Sequence, residues 1–408
     1  MKKYLFLFSI FLPFYIFAEQ NIEIVGGNNV NIPRVAIVDF TNDLNDNDIT
    51  NIIVNDLKIT GEFLLNKYPN IDMVESTNEY IVSGKIESTV SVYKLAYKLI
   101  NNNESKSIIL DQNIEFNAKD LRKNAHTISN NIYQTLTNTP GIFNTKIAYI
   151  ATLKNKYNLI VSDYDGYNPS VLLLSKSPIS SISWNSDGSQ IAYVSLESGK
   201  PVVYVQDIYK KNRYKVANFI GSNSSPAFTA DGSKLAVTLT KDNGSHIYLV
   251  NNAAFNPNSY ASNIINFATI DTEASIAKNG NIIFTSNKDG GPQIFLAGNP
   301  GESSTRLTMN LGNYNTTARW AHDLSKITFI NRTGGILKTY VLNLIDNTAY
   351  PVSVDTSLDM SPSFSPNDKL ILFSSNNSVY IVNALGTVQT KLNISADTII
   401  DQLWANNF

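Results

Sequence analysis

A short phrase returns down the C-terminal two thirds of the chain: an aromatic or apolar anchor, a polar turn carrying Asp or Asn and usually Gly, then an alternating apolar strand. It runs from Trp184 through Asp187 and Gly188 to Tyr193, and again from Phe228 through Asp231 and Gly232 to Val237. Weaker copies begin at Ile276, Trp320 and Phe364, and a truncated one closes the chain at Trp404. The anchors lie 44, 48, 44, 44 and 40 residues apart, a period that fits one four-stranded propeller blade and exceeds most helical or leucine-rich repeats. The third copy, with Ile276 and Lys278, has lost its aromatic and its Asp, which leaves that blade open to distortion.

The repeat neither begins nor ends on a whole copy. Phe143 to Ile150 matches its second half alone, and Asp401 to Trp404 its first half alone. Both fragments are explained if strands from the two ends of the repeat region complete one blade, so that no sheet edge is left unpaired. Five internal anchors and one shared blade predict a closed six-bladed β-propeller over residues 141–408. Asp187 and Asp231 read as turn residues, because the carboxylate accepts backbone N–H groups while the following Gly takes positive φ.

Ahead of the repeats, residues 32–140 read as a small α/β domain. A strand is expected over 34–40 and an amphipathic helix over 47–66, where Ile49, Ile52, Ile53, Leu57 and Leu64 fall near helical spacing. Strands follow near 79–86, 89–100 and 106–116, with Tyr93, Leu95, Tyr97 and Leu99 on one face of the middle one. A second helix over 118–136 stops at Pro140 and Gly141. Further upstream, Met1–Ala18 has the basic start, apolar run and small final residue of a secretory signal peptide. Residues 19–31 hold too little apolar surface to pack alone, and read as a mobile segment.

Composition narrows the chemistry. The chain has no Cys, which removes disulfides, thiol catalysis and thiolate metal sites, and its net charge of -2 comes without a basic stripe for nucleic acid. The three histidines, His126, His246 and His322, are scattered and match no metal-ligand spacing. His126 reads as a helix residue bonded at the domain interface. No Gly-x-Ser-x-Gly elbow and no phosphate-binding loop is present.

What remains is surface. The residue three before each anchor is Ser181, Ser225, Glu273, Thr317, Ser361 or Asp401. Equivalent positions of a closed ring face one another, so these six should form a polar circle at one mouth of the channel. Such a ring can seat a protein loop, hold a cation between Glu273 and Asp401, or be a solvated rim without a partner. No cofactor is expected.

The segments Lys146–Tyr149, Val161–Asn168 and Trp184–Ser189, with Glu197–Lys200 behind them, resemble the TolB family of the periplasmic Tol-Pal system. The run Ser162 to Asn168 is the most specific, and the similarity continues more weakly through Asp56, Leu57, Ala125 and His126. The resemblance implies an interaction protein rather than an enzyme, located in the periplasm and serving outer-membrane invagination at division and envelope integrity. It implies that the lipoprotein Pal docks at Ser181, Ser225, Thr272 and Glu273, and by ring equivalence at Thr317, Ser361 and Asp401. It also implies that TolA binds the first mature residues, Glu19 to Asn29, centred on Ile22 and Ile24 and including Gly27. Pal binding would then switch TolA access by shifting that segment between packed and free states. Other outer-membrane lipoproteins or porins are further candidate partners. Two alternatives stay open: a periplasmic propeller enzyme of lyase or peptidase type, which would place His, Arg or paired acids in the channel, and a ligand-sensing propeller, which would show aromatics at the mouth.

Overall fold

The computed structural model describes residues 32–41, 49–88, 92–103, 106–241, 243–298 and 303–406. The expectations for Met1–Ala18 and for Glu19, Ile22, Ile24 and Gly27 lie outside the described residues. Residues Pro33–Phe408 form one compact unit.

Its first part is a five-stranded sheet with two helices. β1 (Arg34–Val38) is followed by α1 (Ile49–Thr60), β2 (Leu64–Tyr68), β3 (Tyr80–Ser88), β4 (Val92–Asn101), β5 (Ile108–Asn117) and α2 (Leu121–Thr137). The sheet order is β2-β1-β3-β4-β5, with β1 parallel to both neighbours and β3, β4 and β5 antiparallel. Leu95, Tyr97 and Leu99 are buried, as the alternation in β4 requires, and share a core with Ile53 and Leu57 of α1 and Ile128 and Ile132 of α2. The first helix is shorter than its apolar spacing suggests. It ends at Thr60, Gly61 takes φ +69°, and Leu64, expected on the helix, opens the parallel strand β2. Only glycine is at ease at that φ, and a Cβ there would sit 2.6 Å from the Asn383 side chain.

The second part is a ring of six four-stranded antiparallel sheets. The inner strands are Ile179–Trp184, Asn223–Phe228, Asp271–Ile276, Asn315–Trp320 and Asp359–Phe364 in blades 1 to 5. Blade 6 is split as expected: Thr398–Trp404 pairs with Lys146–Leu153, and Lys156–Asp163 and Ser170–Ser175 complete it. The third blade is not distorted. Its sheet carries a register shift at the same place as its neighbours, and it keeps the stacked pair of its middle strands, Phe284 on Phe295, that blades 1 and 5 have in Tyr193 on Tyr204 and Phe373 on Tyr380. The turn aspartates are structural: Asp187 accepts the Ser189 N–H at 2.8 Å, and Asp231 accepts that of Ser233 at 3.1 Å. Hydrogen bonds from Thr229 and Ser233 hold Asp231 down at about 2.

The α/β part rests on the turns of blades 5 and 6. Asn383 donates to the Thr60 carbonyl at 3.3 Å and Asn367 to that of Pro140 at 2.9 Å. Beside them lies a buried polar junction. Asp56 of α1 accepts the Tyr164 hydroxyl of blade 6 at 2.5 Å and meets His126 Nδ1 of α2 at 2.8 Å. Asp165 pairs with Arg122, whose guanidinium lies 3.5 Å from the centre of the Tyr167 ring. His126 therefore sits at the domain interface, as its helix position suggested. No helix among the described residues is long and apolar enough to cross a membrane.

Candidate functional site

All six residues three before the anchors line one cavity of about 330 Å³ at one mouth of the channel. The inner strands explain this. In blades 1 to 5 each carries a bulge at this point, so that two residues, such as Ser181 and Ile182, face one on the neighbouring strand. The first of each pair is left-handed although none is glycine: Ser225 at φ 46°, Ser361 at 50°, Ser181 and Glu273 at 55° and Thr317 at 56°. Such backbone costs on the order of 1–3 kcal/mol per residue and persists only where surrounding bonds fix it. Blade 6 departs from the rule. Its bulge falls at Ile400, one residue earlier, and Asp401 pairs regularly with Ile150.

The carboxylates of the ring hold neighbouring blades. Asp401 accepts the Ile182 N–H of blade 1 at 2.8 Å, and Glu273 accepts the Thr317 N–H of blade 4 at 2.9 Å and the Thr285 hydroxyl at 2.8 Å. Burial pushes the Asp401 carboxyl up, against the opposing pull of Ser361, the Ile182 N–H and Arg319. Both acids suggested as cation ligands are thus already bonded to the chain, and Arg319 places a resident positive charge beside Asp401. Thr272 does not line the cavity. It lies between blades, 3.4 Å from Ser225 Oγ and 3.1 Å from Thr238 Oγ1.

Sequence reasoning missed two sets of residues here. Five positions before the anchors, four blades carry Asn223, Asp271, Asn315 and Asp359, all fully buried. They pin the loops around this mouth: Asn223 accepts the Phe219 N–H at 2.8 Å, and Asp271 accepts those of Phe267 and Ala268 at 2.8 and 3.1 Å. That column was visible in the repeat. The second set is the exposed apolar side chains on and beside those loops, among them Ile220 at 95%, Met309 at 56% and Leu358 at 53% exposure. Strand direction places these loops at the ring's end of the channel, whereas the α/β part rests on turns at the other end. Among the described residues the α/β part does not cover this mouth, which has a strained polar centre and an apolar rim.

Fold and site together define a closed six-bladed β-propeller protein with an N-terminal α/β domain and a built surface at one channel mouth. Residues 133–407 match the family described as the TolB beta propeller domain. The chain belongs to that family. A Tol-Pal system protein TolB from Coxiella burnetii is 35% identical over 238 residues, 52% of this chain and 54% of the relative. One from Bordetella pertussis is 35% identical over 289 residues, 67% of this chain and 64% of the relative. The chain thus spans between half and two thirds of the length of these curated relatives. The crystal structure of TolB from Acinetobacter baumannii superposes with a TM-score of 0.79 at 29% identity, covering 91% of this chain and 96% of that one.

Proposed function

We propose that this chain is a periplasmic interaction protein of the Tol-Pal system that receives Pal at the ringed propeller mouth and TolA at its N-terminal segment. In that role it supports outer-membrane invagination at division and envelope integrity. Other outer-membrane lipoproteins or porins are further candidates for the same mouth. The observation that carries the reading is the ring itself: five blades keep a non-glycine residue in a left-handed bulge at one mouth. Stored strain of this kind gathers at functional sites, and the apolar rim is what a protein partner can cover. The ring supplies hydroxyls and blade-bonded carboxylates, which suit hydrogen bonding to a docked loop better than turnover of a substrate.

Glu273 is tied to three donors, so Glu273→Lys should weaken both Pal binding and the fold. Ser181→Lys separates the two, since it adds a long cation to the ring while leaving the carboxylate bonds between blades in place. With purified Pal in surface plasmon resonance, we expect Ser181→Lys to bind at least about tenfold more weakly at an unchanged melting temperature, as for other misplaced interface charges. Unaltered binding would mean that the mouth is not the interface. Deleting residues 19–29 should abolish TolA capture without affecting Pal; retained capture would remove the N-terminal half of the proposal.

A further inference from the structure

The channel has a second chamber, of about 240 Å³, on the side of the Asp-Gly turns. Its chemistry is the inverse of the ringed mouth. Glu273, Asp359 and Asp401 line the first cavity, whereas the second is lined by Lys278, Arg319 and His322 and by no carboxylate among the described residues. Arg319 lies at the waist and lines both. It occupies the position just before an anchor, where the other blades carry Ser183, Ala227, Ser275, Ser363 and Leu403. One long side chain thus stands where four of the other five blades carry a small residue.

We propose that this chamber binds a small oxyanion, a carboxylate or a phosphate, with Arg319 as its charged anchor. Arg319 Nη1 donates to the Ala318 carbonyl at 3.2 Å, one bond from a group with five donors in a planar fork suited to two oxygens of one ligand. The serines add to this. Ser363 Oγ accepts the Trp404 N–H at 3.1 Å and Ser183 Oγ that of Phe228 at 3.4 Å, so their hydroxyl protons are the part left to donate inward. The indole N–H groups of Trp184 and Trp320 are spent on the Leu403 and Ser275 carbonyls, and their rings, with those of Phe228 and Phe364, form apolar walls. Acids flank the chamber without lining it: Asp401 feels the charge of Arg319 from the ring side while accepting the Ile182 N–H, and Asp323 feels that of Lys278. Asp368 accepts the His322 and Asp323 N–H groups at 2.7 and 2.9 Å and meets the His322 ring, while Asp323 accepts the Ser325 N–H at 2.8 Å. Few polar donors among aromatic walls describe a small-molecule site, and the volume admits a compact di- or tricarboxylate or a phosphate ester rather than a folded loop.

The test is isothermal titration of the full chain at low ionic strength with inorganic phosphate and, separately, with citrate. Saturable one-to-one binding of either probe, weakened at least tenfold in Arg319→Gln and less in Arg319→Lys, supports the site and tells which oxyanion class it takes. Lys210→Gln, on an outer turn of blade 1, should bind as wild type. Should Arg319→Gln fail to fold, Lys278→Ser at the exposed rim replaces it, with about threefold weaker binding expected. No saturable heat with either probe, or binding unchanged in the folded variant used, overturns the proposal.

Discussion

Asp56→Ala attacks a place where the α/β part and the propeller share buried ionisable groups. The carboxylate takes the Tyr164 hydroxyl at 2.5 Å and His126 Nδ1 at 2.8 Å, and none of the three residues is more than 2% exposed. Removing it strands an imidazole and a phenol together. Breaking a buried pair from one side costs about 3–5 kcal/mol, and the orphaned hydroxyl adds about 1–3 kcal/mol. Asp56 also lines a cleft of about 510 Å³ through which water can reach the stranded groups, so we expect a loss of about 4 kcal/mol rather than the full sum. Urea unfolding followed by tryptophan fluorescence measures it, because Trp404 stacks on Tyr164 at 6.3 Å. A pH series adds a second reading. Burial by itself lowers His126, but the charge and hydrogen bond of Asp56 and the charge of Asp165 outweigh burial and the opposing Arg122, so the ring is held above its ordinary value. A base raised in the fold stabilises fully below its unfolded value of about 6.5 and loses that contribution as pH climbs through the folded value. The gap between wild type and Asp56→Ala should be widest below about pH 6.5 and narrow above it. A gap under about 1 kcal/mol at pH 6, or one that widens with rising pH, refutes the reasoning.

Two further outcomes test the ring. Trp184 is 2% exposed and donates to Leu403 across the seam between blades 1 and 6; Trp184→Ala should cost about 3–5 kcal/mol in equilibrium unfolding, and a cost near zero would overturn the blade register. Burial raises the Asp401 carboxyl, so this group costs stability above its unfolded value of about 3.9 and the cost disappears as pH falls through the folded value. Asp401→Asn should therefore melt no lower than wild type at pH 7 and lose any advantage in acid; a drop of more than about 4 °C at pH 7 contradicts this sign.

The positions three before the anchors were readable because each blade repeats one inner strand, and a column in the repeat becomes a circle in space. The same logic makes the fully buried Asn and Asp column at Asn223, Asp271, Asn315 and Asp359 readable, and marks Arg319 as the exception in a column of mostly small residues. Local exceptions were harder. Apolar spacing ran through Gly61 and hid β2, since Leu64 fits a helix face as well as a strand, and only the close approach of Asn383 shows why the helix must stop there. The shift of the bulge to Ile400 sets blade 6, the one assembled from two distant parts of the chain, apart from the other five. Tertiary junctions were readable only in part: the helix position of His126 pointed to the domain interface, but its partners Asp56 and Tyr164 come from two other segments that spacing cannot bring to it.

The split blade joins these observations physically. Its closing strand carries Asp401 toward the ringed mouth, and three residues later Trp404, which stacks on Tyr164 and donates to Thr145 Oγ1 at 2.8 Å. One strand thus runs from the polar ring to the buried junction with α1 and α2. The domain interface and the candidate docking mouth thus meet the two ends of a single closing strand, Thr398–Trp404.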